Sequence, residues 1–210
     1  MGKSQLTVEE TREMFVYVCK KMEESKDLLT QADKAIGDGD HGVGMARGFE
    51  AVRQKLEAQA FETLGELVKS IGTTLMTSIG GAAGAVFGTL FRGGSKSLDD
   101  RHEFDGETLS LMLLDGLQAV KERGKAGPGD KTMVDALEPA ALTSREQHSA
   151  PLHEALGAVT ESARQGMEKT KEMVANVGKA KTLGERSLGH ADPGAVSTYL
   201  ILKSMTEYVM

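Results

Sequence analysis

The chain has 210 residues, enough for one large domain or two small ones, and hydrophobic residues make up 40% of it, which suffices for a core. Its formal net charge of −6 argues against nucleic acid or an anionic membrane as the main partner. No apolar run approaches the roughly 20 residues that span a bilayer, and no signal-peptide core is present, so we expect a cytoplasmic protein.

Helical periodicity runs through the whole chain. The first segment opens on a capping box, Thr7 and Glu10, and predicts one helix that extends to Leu29. Apolar stripes at helical spacing then predict seven more helices, which cover residues 49–56, 64 to about 80, 86 to about 93, 105–124, 130 onward, 151–178 and 192 onward. The sequence therefore predicts about eight helices.

No segment shows the alternation of a half-buried strand, so we predict an all-α protein with a single domain, residues 1–210. Pro139 is expected to kink or divide the sixth helix, and Asp192 followed by Pro193 is typical of a helix start. The methionines and aromatics of the stripes, together with the lone Cys19, are assigned to the core rather than to a partner interface.

The segment KAIGDGDHGVG, residues 34–44, combines glycines with carboxylates: Asp38 and Asp40 flank Gly39, and Asp33 lies five residues before Asp38. Glycine-rich loops usually approach phosphates, which carboxylates repel, so the combination indicates a cation between them. Two Mg²⁺ ions bridged by phosphate oxygens would neutralise the three aspartates and a polyphosphate together. The alternative is an Asx-turn that caps the next helix and leaves the aspartates solvated.

Other readings of glycine-rich segments fail on their spacing. The pattern Gly37, Gly39, Gly42 lacks the βαβ unit of a dinucleotide-binding fold. An EF-hand that starts at Asp38 would need glycine and glutamate where Val43 and Phe49 stand. GKAGPGDKT, residues 124–132, departs from the P-loop pattern by one inserted residue and has no preceding strand.

Isolated polar residues carry weaker signals. His41 could face a nucleotide or pair with an aspartate, and His190 is more typical of a turn than of a catalytic dyad. Met133 could line a base pocket or belong to the core. Four cations could contact phosphate, although any single one of them is more often solvated or paired with a glutamate: Lys125, Lys131, Lys179 and Arg186.

Four loops together resemble a known family. IGDGDHG, SIGGAAG, RGKAGPGDKTM and LGERSLGHADPGA, in this order between about residues 30 and 195, are similar to the signature loops of the L subunit of dihydroxyacetone kinases, called DhaL. The resemblance implies an antiparallel barrel of eight helices with a nucleotide site at one rim. It also implies that Asp33, Asp38 and Asp40 hold two Mg²⁺ ions and act, with Lys179, in phosphoryl transfer.

The resemblance further implies a set of nucleotide contacts. ADP or ATP would meet His41, Gly42, Val43, Gly44, Ala82, Ala83, Gly124, Met133, Lys179, Asp192, Pro193 and Gly194. Three of these differ from the residue in better-known bacterial members: Gly44 replaces an asparagine, Ala83 a serine and Lys179 an arginine. Each change removes polar contacts to a nucleotide, since lysine keeps the charge of arginine but loses its bidentate fork.

The implied partners are a K subunit, which holds dihydroxyacetone, and an M subunit, which phosphorylates an ADP that stays bound as a coenzyme. In other members ATP exchanges as a substrate, and the three substitutions leave room for that mode and for another short ketose. A regulatory interaction protein that binds a transcription regulator is a hypothesis of a different class. A homodimer is also kept open.

Overall fold

The computed structural model describes residues 2–210 and is predominantly helical within them, as the sequence predicts. Nine α-helices lie in this part of the chain, one more than predicted. They are α1 (Val8–Glu24), α2 (Lys26–Ile36), α3 (His41–Ala58), α4 (Leu64–Ser78), α5 (Gly81–Gly94), α6 (Gly106–Gly124), α7 (Val134–Glu146), α8 (Leu152–Lys169) and α9 (Pro193–Val209). Two 3₁₀ segments, Thr170–Glu172 and Lys179–Ser187, lie between α8 and α9.

The first predicted helix is two helices, so its extension to Leu29 is wrong beyond Glu24. Ser25 interrupts it, because its amide and its hydroxyl both donate to the Lys21 carbonyl, at 3.0 and 2.7 Å. A serine side chain that competes for a backbone acceptor in this way favours a helix end. The chain then turns into α2, whose last turn carries Asp33.

The predicted helix over 151–178 is also too long, because α8 ends at Lys169. The Thr170 hydroxyl donates to the Met167 carbonyl at 2.6 Å, and the Thr170 carbonyl accepts a hydrogen bond from the Lys131 side chain. The Thr170 carbonyl also accepts from the Met173 amide at 3.2 Å, so the chain forms one 3₁₀ turn after α8 and becomes extended at Met173.

The predicted helix starts are confirmed where capping signals are local. Thr7 and Glu10 form both bonds of the capping box on α1. Asp192 accepts from the Ala195 amide at 2.8 Å and Pro193 is the first residue of α9. Pro139 lies inside α7 without dividing it.

The helices pack mainly against their sequence neighbours. The main helix pairs are α3 with α4, α4 with α5, α5 with α6, α6 with α7, α7 with α8, α8 with α9, α9 with α1, and α1 with α3. The remaining helix, α2, packs on α3 and α9 and touches the 3₁₀ segment 179–187. This arrangement brings the α2–α3 loop, the segment after α8 and the start of α9 together.

The predicted core residues are buried. Cys19 and the methionines of the first stripe are closed to solvent, and the Phe15 and Phe91 rings meet edge to face at 5.9 Å. A two-residue antiparallel pair, β1 (Leu6–Thr7) with β2 (Glu103–Phe104), adds Leu6 and Phe104 to this core. It is too short to show strand alternation in the sequence. From residue 2 to residue 210, no helix combines the length and the apolar character that a membrane crossing needs.

Candidate functional site

Three carboxylates converge at the junction of α2 and α3. Asp33 projects from the last turn of α2, while Asp38 and Asp40 belong to the connecting loop. Each offers an oxygen, and these three oxygens lie within 4.8 Å of one another. Asp33 also accepts a hydrogen bond from the His41 amide at 3.1 Å, which fixes it against the start of α3.

Two glycines make this junction possible. Gly39 has φ +81°, a conformation that residues with a side chain rarely adopt, and it separates the two loop aspartates. Gly42 lies so close to α2 that a Cβ atom there would be 2.2 Å from the Lys26 carbonyl oxygen and 2.3 Å from the Thr30 hydroxyl. Glycine at 42 therefore lets α3 approach α2, and this approach brings the loop back towards Asp33.

A lysine from the far end of the chain lies over the cluster. The Lys179 ammonium, in the 3₁₀ segment 179–187, forms an ion pair with Asp38 and lies 3.6 Å from Asp40. Its hydrogen bond lowers the pKa of the Asp38 carboxyl below the usual range. All three side chains are more than half exposed.

The donor set of this cluster fits a hard cation. Three carboxylate oxygens at short mutual distances repel one another unless positive charge lies among them, and Lys179 supplies part of that charge here. Mg²⁺ takes carboxylates together with phosphate oxygens and water. The Asx-turn alternative fits less well, because the side chain of Asp40, the N-cap residue of α3, makes no capping hydrogen bond.

His41 links the cluster to α9. Its ring is buried, and Nε2 lies 2.8 Å from the Ser197 hydroxyl. Burial lowers the pKa of His41, and the charges of Asp33 and Asp40 and the Pro193 carbonyl oppose that shift only in part. The sequence predicted His41 as a nucleotide neighbour or an aspartate partner, and the structure gives its amide to Asp33 and its ring to α9.

The next glycine-rich loop adjoins the same end of α3. Val43 is exposed, whereas Gly44 is buried so tightly that a Cβ atom would be 3.3 Å from Ile79. One turn later, Arg47 donates to the carbonyls of Ser78 and Ile79 at 2.7 and 2.5 Å, which holds the turn into α5. Sequence analysis did not identify Arg47.

The first turn of α5 faces the end of α6. Ala82 is exposed and Ala83 partly so, in the turn whose amides are free to meet an anion. Ala82 and Gly124 line one open depression between α5 and α6, together with Arg92, Glu122 and Arg123. The structure thus places two predicted nucleotide contacts from distant loops on one surface.

Met133, Asp192, Pro193 and Gly194 form a second group. Met133 is the N-cap residue of α7 and is buried, and a Cβ atom at Gly194 would lie 3.2 Å from the Met133 Cβ. Burial raises the pKa of the Asp192 carboxyl to about 7, with a further contribution from Asp135, while the Ala195 amide and Lys131 oppose the shift. The group meets the acidic cluster through the contact of His41 with Ser197 and Pro193.

Lys131 departs from its sequence interpretation, because it is neither solvated nor paired with a glutamate. It is 2% exposed, and its ammonium donates to the backbone carbonyls of Thr170 and His190. The other candidate cations, Lys125 and Arg186, are exposed. The only sequence signal that Lys131 belongs to the site is its place between a glycine-rich turn and the apolar start of α7. For Arg47 and Ser197 the only signal is their spacing of one helical turn from Val43 and Pro193.

Comparisons with known proteins agree with this geometry. A protein-family model described as the DAK2 domain matches residues 35–207. The chain is 41% identical over 184 residues to the ADP-binding subunit DhaL of PEP-dependent dihydroxyacetone kinase from Escherichia coli K12, covering 85% of this chain and 86% of that one. It is 38% identical over 206 residues to the corresponding subunit of PTS-dependent dihydroxyacetone kinase from Lactococcus lactis, covering 97% and 99%.

A solved structure is similar over nearly the whole chain. The dihydroxyacetone kinase of C. freundii, crystallised with AMP-PNP and Mg²⁺, superimposes with a TM-score of 0.75 at 26% identity. The match covers 93% of this chain and 33% of that one, so the chain corresponds to about a third of the larger kinase.

Proposed function

The chain belongs to the DAK2 domain family, and from this membership and the site geometry we propose that it is the nucleotide-binding L subunit of a phosphotransferase-dependent dihydroxyacetone kinase. An M subunit would phosphorylate ADP on this chain, and the phosphoryl group would pass to dihydroxyacetone held by a K subunit. This relay would take place in the cytoplasm.

The observation that carries this proposal is the cluster of Asp33, Asp38 and Asp40, whose carboxylate oxygens lie within 4.8 Å of one another. These residues would hold two Mg²⁺ ions, which would neutralise the charge of the nucleotide phosphates and of the transferring group. A site that needs a cation to bring carboxylates and phosphates together suits nucleotide chemistry.

The remaining residues orient the nucleotide and complete the charge balance. The free amides of the first turn of α5, at Ala82 and Ala83, suit phosphate oxygens. Lys179 would leave Asp38 to stabilise the transferring phosphoryl group, since its exposed side chain is free to move. His41 would hold the loop against α9 through the contact of its ring with Ser197, and burial lowers its pKa.

We also propose a finer architecture, which the packing order supports. Eight helices, α1 and α3 to α9, would form one closed antiparallel barrel with the nucleotide at one rim. Residues 1–210 would form a single domain. The succession of neighbouring pairs from α3 to α9, completed by α9 with α1 and α1 with α3, supports this closure. A transcription regulator and a second copy of the chain stay predictions as partners.

Asp38→Asn tests the proposed role of the cluster. Reconstitution with K and M subunits, Mg²⁺ and phosphoenolpyruvate-derived phosphate should give no transfer to dihydroxyacetone with this variant, while its circular dichroism stays helical. Asp100→Asn is the matched control, because Asp100 is an exposed aspartate of the α5–β2 loop. Full activity of Asp38→Asn would exclude the assignment.

A second mode, an ATP-dependent kinase subunit with exchanging nucleotide, is favoured by Gly44, Ala83 and Lys179, which offer fewer polar contacts than asparagine, serine and arginine would. This mode also leaves open dihydroxyacetone or another short ketose as the acceptor. Nucleotide content separates the two. Near-stoichiometric ADP released on denaturation, after extensive desalting with Mg²⁺, indicates a held coenzyme, and an empty protein that binds ATP and ADP reversibly indicates exchange.

A further inference from the structure

A charged side chain is buried beside the second group of the site. Lys131 is 2% exposed, and its backbone has φ +61°, a left-handed conformation that few residues other than glycine adopt. Burial lowers the pKa of its ammonium, and the charges of Asp192 and Asp135 oppose that shift. A buried cation in an unfavourable backbone conformation requires strong compensating contacts.

Those contacts join three segments that are far apart in sequence. The Lys131 ammonium donates to the Thr170 carbonyl after α8 and, at 2.6 Å, to the His190 carbonyl before α9. The Thr170 hydroxyl in turn accepts from the Asp192 amide at 2.9 Å. Lys131 and Thr170 together therefore hold the chain that leads into α9.

The segments held in this way carry predicted nucleotide contacts. Met133 follows Lys131 by two residues and packs against Gly194, and Asp192 caps α9 through the Ala195 amide. The Lys131 ammonium bonds to backbone carbonyls and not to the side chains of these residues, so any effect of Lys131 on a nucleotide passes through the backbone that it fixes.

The charged groups near Asp192 differ in whether other contacts already engage them. Asp135, at the start of α7, already accepts from the amides of Gly129 and Thr132 at 2.6 and 2.7 Å. His41 approaches from α3 next to Pro193, and burial lowers its pKa. Lys131 is therefore the cation that opposes the effect of burial on Asp192.

We propose that Lys131 is a positioning residue of the nucleotide site, whose buried ammonium ties the start of α7, the end of α8 and the segment before α9 together and so places Met133 and Asp192–Gly194 for nucleotide binding. The inference rests on the proposed nucleotide-binding function. It assigns Lys131 no contact with the nucleotide itself.

The test compares Mg²⁺-ADP affinity of the whole chain as a function of pH. Lys131→Met keeps the length of the side chain and removes its charge, and Lys131→Gln restores hydrogen-bond donors without the charge. Lys169→Met is the matched control, because Lys169 is exposed and adjacent to Thr170. The affinity is also measured with and without Lys131→Met in a protein that carries Asp192→Asn, where asparagine can still cap α9.

We expect Lys131→Met to raise the dissociation constant at pH 7 at least tenfold, and Lys131→Gln to raise it less. The pH dependence of Mg²⁺-ADP affinity should have a midpoint that is due to Asp192 and is therefore absent in Asp192→Asn. Lys131→Met should raise this midpoint by about one pH unit, because a nearby cation no longer favours the ionised carboxyl. In the Asp192→Asn background that movement should vanish, and Lys169→Met should behave like the unchanged protein.

The outcomes distinguish the two proposals. An unchanged protein that binds neither ADP nor ATP overturns the proposed function. Tight binding by the unchanged protein together with equal affinity and an equal pH midpoint in Lys131→Met overturns the role of Lys131 alone. Loss of the helical fold in both Lys131 variants also overturns it, since the residue would then serve stability and not the site.

Discussion

The Lys179 ammonium and the Asp38 carboxylate form an ion pair between residues that are 141 positions apart in sequence. The same ammonium lies 3.6 Å from Asp40, so a single side chain of the 3₁₀ segment 179–187 neutralises part of the acidic cluster. A cation that binds the three aspartates must therefore displace Lys179 or share them with it.

Lys179→Met tests this competition. We expect the variant to bind Mg²⁺ alone more tightly, roughly fivefold, because a like charge near the ion has been removed. It should bind Mg²⁺-ADP more weakly, since the ammonium no longer meets the phosphates. Isothermal titration with Mg²⁺ and then with ADP measures both constants. Lys181→Met, an exposed lysine of the same segment, should change neither; weaker Mg²⁺ binding by Lys179→Met would contradict the expectation.

The close approach of α3 to α2 predicts a sharp contrast between two glycine substitutions. In Gly42→Ala the new Cβ would meet the Lys26 carbonyl oxygen at 2.2 Å, so we expect a loss of about 1–3 kcal/mol of unfolding free energy and weaker Mg²⁺ binding. Gly157→Ala, in α8, meets nothing within 4 Å and should stabilise the fold by about 0.5–1 kcal/mol. Urea unfolding measures both, and equal effects would contradict the packing argument.

The raised pKa of the Asp192 carboxyl predicts a pH dependence of stability. Its pKa is raised from 3.8 to about 7, so in the folded state it keeps a proton that the unfolded chain has already released. Between these two values its contribution to the free energy of unfolding falls as pH rises, and above about pH 7 it no longer changes. Lowering the pH from about 8 to 5.5 should therefore raise the melting temperature of the protein more than that of Asp192→Asn. An equal change of melting temperature in the two proteins over this pH range would refute the raised pKa of Asp192.

Restoring the polar residues of related subunits tests what decides nucleotide retention. Gly44→Asn with Ala83→Ser should slow ADP dissociation about thirtyfold, because two further hydrogen bonds are each worth about 1 kcal/mol. A Cβ at position 44 would lie 3.3 Å from both the Ile79 side chain and the Ile79 carbonyl oxygen, so the turn at Ile79 must shift by a few tenths of an ångström. Stopped-flow displacement of a fluorescent ADP measures the rate. Gly157→Ala is the control, and an unchanged rate would exclude these two positions as determinants.

The sequence predicts those features whose causes are local. The capping box of Thr7 and the start of α9 at Pro193 depend on neighbours within a few residues, and both are confirmed. The end of α1 at Ser25 was missed, because a serine hydroxyl that competes for a helical carbonyl leaves the apolar period unchanged. The membership of the four loops in one family was also readable, since their order and composition are specific.

The partners of individual side chains could not be predicted, because they depend on which helices pack together. Arg47 donates to the Ser78 carbonyl, 31 residues away, and the His41 ring contacts the Ser197 hydroxyl, 156 residues away. Lys131 is a stronger example. Local sequence rules predict that a lysine in a glycine-rich loop is exposed, and this one is buried only because three distant segments pack around it.

The order in which the helices pack has a consequence for how the chain folds. From α3 to α9 each helix has its sequence neighbour as a packing partner, so these contacts form at little cost in loop entropy. The pairing of α1 with α9, with the Lys3 amide bonded to the Val209 carbonyl at 2.8 Å, joins opposite ends of the chain. Because these contacts lie between residues about 200 positions apart, closing them costs more chain entropy than closing the contacts of neighbouring helices, and we expect them to form after the neighbouring pairs.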